Sequence, residues 1–278
     1  MNHIVSTDWL YEHLHEEDLI LLDASLPKTA EGKPSSHAGI TIAGARFFDL
    51  KDKFSDSTSP FPNTIPTPTD FQRESRALGI NSSSKVVVMD NMGLYSSPRV
   101  WWMFKAMGHE NVAVLDGGLP AWIDAGYETV PVQEAEYDAG DFKASFQPAL
   151  VKDYDDVVDN VSTASFTIVD ARSEGRFNGT APEPRKELKS GSIPNSANIP
   201  YQAVLEGGKF KKESELRAVF DKLEDADNLV YSCGSGLTAC IIMMAGKLAG
   251  RKDMTVYDGS WTEWAELQGL KVEQVKNS

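Results

Sequence analysis

Val114-Leu115-Asp116-Gly117-Gly118-Leu119-Pro120-Ala121-Trp122 returns late in the chain as Val256-Tyr257-Asp258-Gly259-Ser260-Trp261-Thr262-Glu263-Trp264. Val, Asp, Gly and Trp keep their places. Two more words recur: Leu22-Asp23-Ala24 as Val169-Asp170-Ala171, and Ile42-Ala43-Gly44-Ala45 as Ile193-Pro194-Asn195-Ser196. The offset drifts from 142 to 151 residues, as short insertions and deletions would make it. A period this long is far beyond that of a solenoid, so the chain reads as a duplicated domain.

Each half alternates short β-branched runs with helical stretches. Leu19 to Asp23, Lys85 to Asp90 and Val112 to Asp116 read as strands buried on both faces in the first half. Phe166 to Asp170, Leu229 to Ser232 and Met254 to Asp258 take those roles in the second. Pro98 to Met107 reads as a helix with an aromatic face. The alternation predicts an α/β fold, a parallel sheet flanked by helices in each half. Residues 1–129 form the first domain and 148–278 the second. The polar, acidic stretch 130–147 reads as a linker crossing between them.

The duplication sets Cys233 opposite Asp90. Cys233 opens Cys233-Gly234-Ser235-Gly236-Leu237-Thr238-Ala239, after the apolar run Leu229-Val230-Tyr231 and before the helical Ile241-Ile242-Met243-Met244. N–H groups of such a turn and of a new helix lack intrahelical partners and face an anion, an arrangement that stabilises a thiolate. Gly234 and Gly236 let the chain curl around one atom, and Ser235 and Thr238 add hydroxyl donors. The bland alternative is a free Cys filling a hole at a strand end, yet two glycines and two hydroxyls are poor packing material. The second half is therefore expected to carry the chemistry and the first to shape the cleft. Cys240 lies about two helical turns on; a redox partner is one reading and a packed helix residue the preferred one.

Composition narrows the class. The 278 residues are 41% hydrophobic, enough for real cores, and no apolar run approaches a membrane span. The N-terminal residues lack the basic and apolar regions of a signal peptide. A net charge of −14 argues against nucleic acid or an anionic membrane as partner. Two cysteines, neither in a Cys-x-x-Cys pair, suit a reducing cytoplasm. The five histidines are scattered, so no metal site is expected.

Asp23-Ala24-Ser25, Gly44-Ala45-Arg46-Phe47-Phe48, Thr58-Ser59-Pro60, Ser97-Pro98-Arg99-Val100-Trp101-Trp102, Gly117 to Trp122, Asp170-Ala171-Arg172 and the Cys233 loop together give the chain its likeness. It resembles the two-domain rhodanese family of sulfurtransferases over nearly its whole length. Asp90 fits a family tendency to carry Asp where the inactive domain has lost its Cys. The resemblance implies tandem rhodanese-like domains, a Cys233 persulfide intermediate and no cofactor. It also implies a small-molecule sulfur donor and a thiophilic acceptor such as cyanide, a thiol or thioredoxin. Thiosulfate-using members carry Cys-Arg-Lys-Gly at the loop, whereas mercaptopyruvate-using members carry Cys-Gly-Ser-Gly, as at Cys233 to Gly236. The physical logic agrees: thiosulfate is a compact dianion, while 3-mercaptopyruvate has its carboxylate farther from the sulfur.

Through the resemblance, Arg176 and Arg185 are expected to hold the substrate carboxylate and keto group, with Gly234, Gly236 and Leu237 around it. As loop arginines awaiting a ligand, both are expected to matter little for stability. Asn63 falls where relatives often carry a His proposed to assist proton movement, and Asp52 where they carry its acidic partner. Without that His, proton handling would fall to Ser235, Thr238 or water. Other classes remain in view. A Cys-x5-Arg phosphatase needs an Arg where Ala239 stands. A sulfur-binding module without activity would not need the intact Cys233 loop. Thiosulfate sulfurtransferase is the nearest alternative.

Overall fold

The computed structural model describes residues 1–223 and 228–269. Among these, ten strands build two five-stranded parallel sheets. The first holds β1 (Ile4–Val5), β2 (Leu19–Asp23), β3 (Arg46–Phe47), β4 (Lys85–Met89) and β5 (Val112–Leu115), in the order β1-β5-β4-β2-β3. The second holds β6 (Val151–Lys152), β7 (Thr167–Asp170), β8 (Ser196–Asn198), β9 (Leu229–Ser232) and β10 (Thr255–Tyr257), in the matching order β6-β10-β9-β7-β8. All the pairings within both sheets are parallel. The expected strands are present, each within two residues of its predicted ends. The two-residue edge strands fall below what sequence periodicity resolves.

The duplication extends to backbone detail. Ala24 N–H donates to Met89 O, and Ala171 N–H to Ser232 O at the equivalent place. Phe48 N–H donates to Asp23 O and Ile199 N–H to Asp170 O. Gly44 and Asn195, paired in the repeat, both take left-handed backbone (φ 79° and 60°). So do Gly118 and Ser260 (φ 54° and 53°). A serine there is strained relative to glycine. Its Oγ offsets this by donating to Tyr257 O at 2.9 Å.

Two helices join the halves. Helix α1 (Ser97–Ala106) follows β4, and helix α2 (Leu237–Leu248) follows β9. They pack together, and one core cluster runs through both, including Trp101, Trp102, Cys240, Ile241 and Met244. Every residue of α1 is buried, so the predicted aromatic face is one part of a helix enclosed on all sides. Trp102 Nε1 donates across the junction to Met254 O at 3.0 Å.

The stretch 130–147 is docked along the first half. Val130–Pro131 pairs antiparallel with Ile40–Thr41. Phe142 is buried among Phe71, Phe104 and His109. Gly140 lies so close to the 80s that a Cβ would stand 2.0 Å from Ile80 O. A polar run thus hides a single apolar anchor, and periodicity cannot register one residue.

Candidate active site

The chain leaves β9 at Cys233, turns through Gly236 in the left-handed region (φ 81°) and enters α2 at Leu237. Helix α3 (Ser260–Leu267) braces this turn from behind. Cys233 N–H donates to Ser260 Oγ at 3.2 Å, and Cys233 O accepts from Trp261 N–H. Gly234 O accepts from Thr262 N–H and from Thr262 Oγ1 at 2.7 Å. With both carbonyls turned toward α3, the open side of the loop presents N–H groups, which suits a bound anion. Cys233 is 2% exposed, and both cysteines are free thiols. Cys240 is fully buried, and burial pushes its thiol up to about 12. It sits 3.4 Å from Gly236 O, in keeping with a packed helix residue.

A cleft of about 320 Å³ opens over the loop, lined from the second half by Gly234, Ser235, Leu237, Arg176 and Arg185 and from the first by Lys51, Asn63 and Tyr95. Thr238 faces a neighbouring recess beside Arg172 and Arg176. Arg176 is held rather than waiting. Its Nε and Nη2 donate to Glu183 Oε2 at 3.0 and 2.6 Å, and Nη1 reaches Glu31 Oε1 of the first half at 3.4 Å. Glu183, itself buried, also accepts from Arg172 Nη1 at 2.7 Å. Arg172 is in turn held by Asp170 and stacks over Trp261 at 4.2 Å. The expectation that Arg176 matters little for stability is therefore revised: removing it strips the buried Glu183 of one partner. Arg176 Nη2 also stands directly over the loop, 2.9 Å from where a Gly234 Cβ would be. Gly234 is small because an arginine occupies its side-chain space.

Arg185 lines the cleft half-buried, and no ion pair to its guanidinium occurs among the described residues. Asn63, with left-handed backbone (φ 61°) and 5% exposure, comes from the first half straight onto the loop. Its Nδ2 donates to Ser235 O and Ser235 Oγ, both at 2.9 Å. Its Oδ1 accepts from Lys51 Nζ, so the partner of Asn63 is Lys51. Asp52 is exposed and does not line the cleft, and its N–H donates to Asp49 Oδ1 at 3.0 Å.

Behind the loop, Arg99 of α1 is fully buried. Its Nη2 donates to Asp258 Oδ1 and to Asn63 O, both at 2.6 Å, while its guanidinium stacks on Trp102. Asp258 Oδ2 accepts from Ile65 N–H at 2.7 Å. This clamp ties the segment carrying Asn63 to the second half. Sequence reading missed Lys51, Tyr95, Glu183, Ser260 and the Arg99–Asp258 pair as site elements. Arg99, Asp258 and Ser260 lie inside words that recur or carry the likeness but mark no role at the site, and Lys51, Tyr95 and Glu183 carry no local motif.

Two parallel-sheet domains, the second with a cysteine in a turn at a strand's C-terminal end, form a fold suited to thiol-based chemistry. Comparison with known proteins agrees. The rhodanese-like domain family model matches twice, over residues 6–125 and 153–267. The 3-mercaptopyruvate sulfurtransferase of Mus musculus is 39% identical over 274 residues, covering 94% of this chain and 91% of the relative. The thiosulfate sulfurtransferase of Cricetulus griseus is also 39% identical, over 273 residues with the same coverage. Among solved structures, the 3-mercaptopyruvate sulfurtransferase SseA of Escherichia coli superposes with a TM-score of 0.83 at 32% identity, covering 94% of this chain and 99% of its own. The chain belongs to the rhodanese family of sulfurtransferases. No helix among the described residues is long and apolar enough to cross a membrane.

Proposed function

We propose that this sulfurtransferase takes sulfur from 3-mercaptopyruvate onto Cys233 and passes it to a thiol, thioredoxin or cyanide. The Cys233 thiolate attacks the donor sulfur. A sulfur–sulfur bond forms, the carbon–sulfur bond breaks, and its electron pair leaves in pyruvate enolate. N–H groups of residues 234–238 and the Ser235 and Thr238 hydroxyls stabilise the outer sulfur, as an oxyanion hole would. Arg176 and Arg185 take the carboxylate end, with Leu237 against the carbon chain. Residues 1–129 then form a catalytically inactive domain that supplies one wall of the cleft, 130–147 the connection, and 148–278 the catalytic domain. Free thiols suit a reducing compartment such as the cytoplasm.

The observation that carries the donor assignment is the placement of positive charge. The loop Cys233-Gly234-Ser235-Gly236 is neutral, and the cations Arg176, Arg185 and Lys51 stand around it. That spacing fits an anion whose charge is removed from its reactive sulfur better than a compact dianion. A second reading, thiosulfate as donor, is supported by relatives of both names being equally similar. Steady-state kinetics with the two donors side by side separates them. The expected result is a higher kcat/KM for 3-mercaptopyruvate, falling roughly ten- to hundredfold in Arg185→Ala, the size of one lost charge-assisted hydrogen bond. A preference for thiosulfate would reverse the assignment.

A further inference from the structure

Turning the departing enolate into pyruvate takes a proton at C3, for which the sequence offers the hydroxyls of Ser235 and Thr238 or water. Hydroxyls are weak acids, and no histidine is among the residues that line the cleft. Tyr95 lines it, but burial first, and nearby negative charge after that, push its phenol well above the ordinary range. Lys51 stands differently. The residue is exposed, yet its ammonium donates to Asn63 Oδ1. The other end of that same carboxamide donates to Ser235 O and Oγ. Lys51 therefore shares the cleft wall with Arg185, Asn63 and Ser235. It also sets the orientation of Asn63, because an ammonium can only face the carboxamide oxygen.

We propose that Lys51 is the general acid of the sulfur-loading step. This rests on 3-mercaptopyruvate being the donor. As the Cys233 thiolate forms the sulfur–sulfur bond and the carbon–sulfur pair moves into the enolate, the Lys51 ammonium gives its proton to C3. Pyruvate leaves, Cys233 holds the persulfide, and neutral Lys51 regains a proton from water. The surroundings make this ammonium a stronger acid than an ordinary lysine. Partial enclosure first, then the like charges of Arg185 and Arg99, lower the Lys51 pKa from its ordinary value, while Asp52 works the other way.

The test is single-turnover loading of Cys233 from 3-mercaptopyruvate in wild type, Lys51→Arg and Lys51→Met, beside the rate of Cys233 alkylation by iodoacetamide. Arginine keeps the charge but does not release a proton. Both variants should load about a hundredfold more slowly, the usual lower range for losing a general acid, with alkylation unchanged. The wild-type loading rate should fall on the alkaline side at a pH below the ordinary lysine range, as the ammonium deprotonates. That limb should be gone in Lys51→Arg. Wild-type loading by Lys51→Arg would reduce the residue to a charge and overturn the proposal, and so would an equal fall in loading and alkylation. A wild type that does not load from 3-mercaptopyruvate would instead refute the donor assignment.

Discussion

Asp90 and Cys233 stand at the same point of two copies of one fold, each at the C-terminal end of a central strand. The first half fills its cradle with its own anion. Asp90 Oδ2 accepts from the N–H groups of Tyr95, Ser96 and Ser97 at 2.9, 3.0 and 2.9 Å and from Ser97 Oγ at 2.7 Å, while Oδ1 accepts from Met92 N–H. The carboxylate is wholly buried. The second half has a shorter loop, a neutral sequence and a thiol in the same place, so its inward N–H groups are left for a ligand. The anion preference comes from the strand-turn-helix geometry common to both halves; what differs is whether the protein or the substrate supplies the anion. The first half also lends Asn63, Lys51 and Arg99 to the second.

The largest expected effect comes from removing the thiol. Cys233→Ser should abolish sulfur transfer with either donor, since a hydroxyl cannot store a persulfide. Measurable turnover by that variant would mean that the two cradles differ in some way other than this residue.

A smaller effect is expected on the filled side. Asp90→Asn keeps the shape but removes the charge and gives the donors an amide that cannot accept from all of them. Stability should fall by about 1.5–3 kcal/mol, read by denaturant unfolding. Sulfur transfer at a temperature where the variant is folded should be unchanged. A neutral outcome would show that the first cradle does not depend on its anion.

The smallest effect is expected at Gly234. Gly234→Ala adds a Cβ 2.9 Å from Arg176 Nη2, the end of a long side chain that Glu183 holds in place. The arginine must give by a few tenths of an ångström. KM for 3-mercaptopyruvate should rise a few-fold, roughly 0.5–1 kcal/mol, with kcat for the bound substrate nearly unchanged. An unchanged KM would separate Arg176 from the substrate and leave Arg185 to hold the carboxylate.

Much of this was legible in the chain. Fully buried parallel strands read as unbroken apolar runs, so Leu19–Asp23 and Leu229–Ser232 stand out directly. A duplicated domain doubles every such signal. The Cys233 loop was legible because its glycines and hydroxyls make no sense as packing. What could not be read were pairings across the junction. Asn63 meets Ser235 and Arg99 meets Asp258 only because α1 and α2 pack against each other, and no local pattern encodes a contact so far apart in sequence. Lys51, in the run Lys51-Asp52-Lys53, reads as solvated charge. The motif pointed to its neighbour Asp52, whereas the backbone turn directs Lys51 to Asn63 and leaves Asp52 exposed. Glu183 carries no signal of its own, because burial of an acid is invisible until its arginines are placed around it.

The account's central claim is that the second cradle holds a sulfur anion on Cys233, where the first holds Asp90. Mass spectrometry of the protein treated with 3-mercaptopyruvate in the absence of acceptor, followed by peptide mapping, tests it most directly. A gain of about one sulfur atom on the peptide carrying Cys233, lost on adding cyanide, is the predicted result. A gain assigned to Cys240, or no gain while pyruvate is still released, would contradict it.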